Sequence, residues 1–125
     1  MPSVLVVDDE VAIVRVASAV LASVGFRTFS AFDGQEAIEM ARLSKPDVVV
    51  SGIVMPCMDG FSAAEEILSF HPTCAFLFVT GAARYAEIKE RAARLRNFGF
   101  LFDVCPKPFD GAGLIEKVRM LSGSA

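Results

Sequence analysis

Apolar and polar positions alternate along the chain in two rhythms. Val4–Val7, Val48–Val50 and Phe76–Val79 are continuously apolar and rich in β-branched or aromatic residues. Short runs of this kind are strands buried on both faces, as in a parallel sheet covered by helices. Arg27–Ala31 is more polar and suits an edge or near-edge strand, and Phe100–Val104 supplies a fifth strand interrupted by Asp103. The stretches between them have helical spacing. Glu10–Val24 carries Ile13, Ala17, Val20, Leu21 and Val24 on one stripe and stops before Gly25. Asp33 is placed to cap a helix over Gln35–Leu43 that ends before Pro46. Gly60–Phe70 ends ahead of Pro72, and Arg84–Asn97 ends near Gly99. Asp110 starts a last helix through Leu121, weakened early by Gly111 and Gly113.

Strand and helix therefore alternate five times, which predicts an α/β fold. Right-handed crossovers turn that order into a doubly wound, five-stranded parallel sheet of flavodoxin-like type, with strand order 2-1-3-4-5. At 125 residues the chain has the size of one domain with a sizeable core. No linker, repeat or low-complexity segment divides it, so residues 1–125 read as a single unit. In open α/β sheets chemistry sits beyond the carboxyl ends of the strands, where strand order reverses. Here that place lies between the first and third strands. Asp8 and Asp9, Ser51 and Gly52, Thr80, and Lys107 all fall at that one end.

Composition narrows the classes. With 54% apolar residues and a mean hydropathy of +0.51, the chain is not disordered. No apolar run reaches about 18 residues, so no membrane-spanning helix is expected. The N-terminus enters a strand without a basic or cleavage-like segment, which predicts a cytoplasmic protein. A net charge of −3 carries no nucleic-acid signal. Arg84–Arg96 is locally basic (Arg84, Lys89, Arg91, Arg94 and Arg96), and reads as a solvated face. Cys57, Cys74 and Cys105 are odd in number and far apart, suggesting neither a disulfide framework nor a zinc site. Cys57 has no basic neighbour in sequence to lower its pKa. The single His71 has no acidic partner nearby.

Three segments carry a family resemblance. Val-Leu-Val-Val-Asp-Asp-Glu at 4–10, Asp47-Val-Val-Val-Ser-Gly-Ile-Val-Met-Pro-Cys-Met-Asp-Gly60, and Lys107-Pro-Phe109 together resemble the receiver domain of two-component response regulators. The resemblance implies a role for each residue. Asp8 and Asp9 would hold Mg²⁺, Asp9 directly, with the backbone carbonyl of Val54 as a further ligand. Thr80 would turn its hydroxyl toward a phosphoryl group, and Lys107 would neutralise that group, its bond to Pro108 being cis. The residue at position 52 would be the aspartate that accepts phosphate. Here it is Gly52, which has neither a nucleophile nor a metal ligand, so Mg²⁺ binding should be weak. Gly52 is either native or introduced, and the carboxylate is missing in both cases. Lys107 should then pair with Asp8 or Asp9.

Two further departures concern the switching parts. Val104 stands where the family has an aromatic, with Phe102 on the same strand face by period two. The stretch from Thr80 to Lys107 is also longer than the family pattern. The resemblance therefore implies a stand-alone receiver of a phosphorelay, degenerate at its acceptor, acting by phosphorylation-independent protein binding and not as an enzyme. Its partners would be a sensor histidine kinase or histidine phosphotransfer protein and a downstream regulator, with a homodimer as a further arrangement and no contact with nucleic acid or membrane. The first helix is apolar nearly all round, Val14, Val16, Ala19 and Ala22 falling partly outside the core stripe, and offers a binding face. The alternatives are phosphate acceptance at Ser51 or Asp59, or a normal receiver whose acceptor has been changed. A flavodoxin-like cofactor site is excluded, because Asp8-Asp9-Glu10 after the first strand would repel a phosphate.

Overall fold

The computed structural model describes residues 2–55, 58–81, 84–94, 99–107 and 109–123. Five strands and five helices alternate: β1 Ser3–Val7, α1 Val11–Ser23, β2 Arg27–Ala31, α2 Gly34–Ser44, β3 Val48–Gly52, α3 Gly60–Phe70, β4 Ala75–Gly81, α4 Tyr85–Arg94, β5 Phe102–Lys107 and α5 Gly111–Ser122. The strands form one parallel sheet in the order β2-β1-β3-β4-β5. Fold class and strand order are those the apolar pattern predicts. Among the described residues no helix is long and apolar enough to cross a membrane.

Period-two alternation in the strands divides the core in two. Leu5, Val7, Val49, Phe76 and Phe78 face α2, α3 and α4, whose Ile38, Phe61, Ile67 and Ile88 complete an aromatic-rich layer. Val4, Val6, Val48, Val50 and Leu77 face α1 and α5 in an aliphatic layer with Val14, Leu21, Leu114 and Val118. The stripe that α1 buries is Val14, Ala17 and Leu21, at i, i+3 and i+7. Val14, expected partly outside the core stripe, is fully part of it. Val24 lies beyond the helix and is exposed. Val11 and Val16, 45% and 55% exposed, remain on the outer face.

The fifth strand also departs from expectation. It begins at Phe102, not Phe100, and continues through Pro106 to Lys107. Phe100 reaches the core from the preceding loop, its ring edge-on to Phe76 at 5.6 Å. Pro106 is tolerated because β5 is an edge strand and needs no second ladder. Phe102 and Val104 do share the aromatic-rich face. Helix α4 is observed as Tyr85–Arg94, and the expected extension over 95–97 lies outside the described residues. On its basic face Arg84 and Arg94 sit near Glu87 and Glu90, while Arg91 stacks over Phe61 at 4.7 Å.

Helix starts follow side-chain capping. Asp33, Asp59 and Asp110 each accept a hydrogen bond from the backbone N–H three residues on, at Glu36, Ser62 and Gly113. Gly25 follows α1 with φ 99, a conformation that only glycine adopts without strain. Gly60 is required for another reason. A Cβ there would collide with the backbone carbonyl of Gly52, so the turn into α3 closes directly over the end of β3.

Candidate functional site

The carboxyl ends of β1, β3, β4 and β5 converge on a polar cavity of about 230 Å³ lined by Asp9, Glu10, Gly52, Val54, Thr80 and Lys107, among others. Of the residues expected at the phosphoryl and metal positions, Asp9, Gly52, Val54, Thr80 and Lys107 line this cavity. Asp8 lies beside it, with its side chain only 3% exposed. Ile53, Val79, Gly81 and Arg84 also line it. Arg84 and Glu10 were not singled out from the sequence. The available signal was position, since each stands three residues past a strand that ends at this edge of the sheet.

Adjacent acids at the end of β1 have separated fates. Asp8 turns inward, and Asp9 stays exposed. The Asp8 carboxylate is fixed at both oxygens. Oδ1 accepts the backbone N–H of Glu10 at 2.9 Å, and Oδ2 accepts the Lys107 ammonium at 3.0 Å. Thus the expected pairing of Lys107 is found, and it is with Asp8. The same ammonium lies 3.6 Å from the carboxylate of Glu10. A buried carboxylate is costly without such a counter-charge.

At Gly52 the missing side chain has been replaced by a neighbour. A Cβ built on Gly52 would stand 2.8 Å from Oδ2 of Asp8, closer than real Cβ contacts come. Asp8, bonded to Lys107, thus occupies the space into which an acceptor side chain would project. Ser51 is buried and donates its hydroxyl to the Gly52 carbonyl at 2.8 Å. Asp59 accepts the Ser62 N–H at 2.8 Å as the cap of α3. Neither of these residues lines the cavity.

The donors present do not fit a resident Mg²⁺. Such an ion demands near-octahedral oxygen ligands at about 2.0–2.1 Å. Gly52 supplies none, Asp8 is committed to Lys107 and Glu10, and an ammonium already stands between two of the three carboxylates. Among the described residues no group of three or more acidic, histidine or cysteine side chains is arranged to hold a metal.

Beside this cavity lies a second, apolar one of about 380 Å³, lined by Ala12, Ile13 and Val16 of α1 with Lys107 and Phe109. Lys107 borders both. The remaining polar candidates lie elsewhere. His71 places Nε2 2.6 Å from the Pro46 carbonyl at the C-terminal end of α3. Burial first, and the charge of Asp47 second, push the Cys74 thiol up to about 12, so it is inert at neutral pH. Burial likewise raises the Cys105 thiol. Cys57 and the bond from Lys107 to Pro108 lie outside the described residues.

Comparison with known proteins places this geometry. Residues 4–119 match the family model of the response regulator receiver domain. The chain is 40% identical over 119 residues to the sensor kinase CckA of Brucella abortus, covering 94% of this chain and 12% of the kinase. It is 34% identical over 119 residues to the probable transcriptional regulatory protein TcrX of Mycobacterium tuberculosis, covering 95% of this chain and 49% of that protein. It thus spans half or less of the length of these relatives. The crystal structure of the receiver domain of NtrX from Brucella abortus superposes with a TM-score of 0.85 at 28% identity, covering 98% of this chain and 99% of that one. Chemotaxis protein CheY4 of Vibrio cholerae gives a TM-score of 0.84 at 27% identity, covering 97% and 98%.

Proposed function

This chain belongs to the response regulator receiver domain family, and from that premise we propose that it is a degenerate receiver that binds protein partners without being phosphorylated at the usual position. Receivers are signalling modules of two-component systems that communicate with sensor kinases and downstream effectors. One observation carries this reading: position 52 has no carboxylate, and the space beside it is taken by the Asp8 carboxylate, which Lys107 pairs. An acceptor must offer a free oxygen to the phosphodonor. Among the described residues the carboxylate nearest that space, that of Asp8, is buried and bonded at both oxygens. The two substitute acceptors are also engaged, Ser51 with a backbone carbonyl and Asp59 with the start of α3.

With no phosphoryl chemistry at position 52, signalling falls to the surface. The outer face of α1 offers Val11 and Val16, beside the apolar cavity that Ala12, Ile13 and Phe109 also line. Exposed valines beside an apolar cavity supply the kind of surface a protein partner could cover. In this reading the face docks a sensor histidine kinase, a histidine phosphotransfer protein or a second copy of the chain, in the cytoplasm. The domain competes for those surfaces and hands on no phosphate.

The test is incubation with a small phosphodonor and Mg²⁺, followed by intact-mass measurement, with Gly52→Asp alongside. No adduct on the native chain is the expected result. A phosphate adduct on the native protein, mapped to Ser51 or Asp59, would replace this reading with that of an active receiver using another acceptor.

A further inference from the structure

The site holds three carboxylates, Asp8, Asp9 and Glu10, with Lys107 beside two of them. In receivers generally this end of the sheet binds Mg²⁺. The Lys107 ammonium stands 3.0 Å from Asp8 and 3.6 Å from Glu10, and Asp8 reaches it by filling the space beside Gly52. From this geometry we infer that Lys107 is the permanent cation of the pocket, doing electrostatically what a divalent ion does in relatives that keep the acceptor carboxylate. The inference rests on the reading that position 52 takes no phosphate, and adds that the pocket is closed to Mg²⁺ by its own lysine.

Buried and unpaired, the Asp8 carboxylate would have to be neutralised or resolvated. Lys107 supplies a full positive charge within hydrogen-bond distance, at the end of a side chain that stays only 25% exposed. A divalent ion entering beside it would meet that charge at close range, where repulsion in a partly dry pocket far exceeds its value in water. It would also have to displace Lys107 from Asp8 without gaining a ligand at position 52. An acceptor carboxylate reverses the balance in the family, because there one more negative group needs compensation. Loss of that carboxylate and occupation by lysine are thus two sides of one exchange.

Lys107 is the last residue of β5, and Asp8 directly follows β1. The pair ties the two ends together across β3 and β4, whether or not a phosphodonor or metal is supplied.

Thermal unfolding with added MgCl₂, at ionic strength held constant with NaCl, tests this on the native chain, Lys107→Met and Lys107→Arg. The native protein and Lys107→Arg should show no Mg²⁺-specific rise in Tm up to about 10 mM. Lys107→Met, with Asp8, Asp9 and Glu10 uncompensated, should start from a lower Tm and gain a saturable rise. Mn²⁺ broadening of amide resonances provides the second measurement, independent of whether Lys107→Met folds. Native resonances of Asp8, Asp9 and Glu10 that stay sharp at millimolar Mn²⁺ support the inference. Selective broadening there, a Mg²⁺-dependent Tm in the native chain, or a folded Lys107→Met indifferent to Mg²⁺ would each overturn it. A mass adduct at Ser51 or Asp59 bears on the functional reading alone, so the two failures are separable.

Discussion

Two lysine–aspartate pairs in this molecule have the same separation and different consequences. Lys107 meets Asp8 at 3.0 Å, and Lys117 meets Asp103 at 3.0 Å. The first joins residues 99 apart in sequence, and its aspartate is 3% exposed. The second joins α5 to the edge strand β5, with the two side chains 32% and 41% exposed. Its hydrogen bond to Asp103 raises the pKa of Lys117, opposed by partial burial and assisted by the aspartate's charge. Equal distance does not mean equal worth. At the rim, water and salt screen the attraction and solvate either partner left behind. In the pocket, removing one partner strands a buried charge.

Breaking the buried pair should have the largest effect. Lys107→Met is expected to lose about 2–4 kcal/mol in urea unfolding, slightly under the usual cost of breaking a buried pair because the lysine is partly exposed. Next comes a test of why the pair fits. Gly52 has no positive φ, and alanine in such backbone ordinarily adds about 0.4–1 kcal/mol by restricting the unfolded chain. Here the added methyl would press on Asp8 Oδ2, so Gly52→Ala should lose about 1–2 kcal/mol instead. A stabilised Gly52→Ala would mean that Asp8 is free to swing away and that the space beside Gly52 is not held by the pair. The smallest effect belongs to the rim. Lys117→Met should lose less than about 1 kcal/mol, a difference that shrinks as NaCl is raised. A loss equal to that of Lys107→Met would erase the distinction between the two pairs.

How far the sequence reveals this arrangement depends on which physical scale sets each part. Strands buried on both faces must be apolar throughout, so β1, β3 and β4 are visible in their composition. Edge strand β5 is less constrained, and its bounds follow register with β4 more than apolarity. This is why Phe100 looked like strand and Pro106 did not. On α1 the choice between Val14 and Val24 turned on where the helix ends. In the site, topology collected the polar residues at one end without help from any single motif. The pairing of Lys107 with an acid followed from charge. Which acid it would be did not, because Asp8 and Asp9 are neighbours with opposite fates, decided by side-chain direction at the strand end. Nor could composition show that a carboxylate would fill the space beside Gly52, since that is a matter of a few tenths of an ångström. Arg84 was hidden because a basic helix face is usually solvated, and its placement depends on how α4 starts beside Thr80.

The link between Asp8 and Lys107 also has a kinetic meaning. Its partners come from the first and last strands of the chain, and β3 and β4 must lie between them before the two can meet. Closing so long a loop adds entropic cost early in folding, so the bond is expected to form late, and Lys107→Met is expected to speed unfolding more than it slows folding in stopped-flow traces. A contact made after the rate-limiting step leaves the speed of folding almost untouched and slows the return journey. The pair therefore works as a latch on the finished sheet, setting how long the native state lasts more than how quickly it is reached.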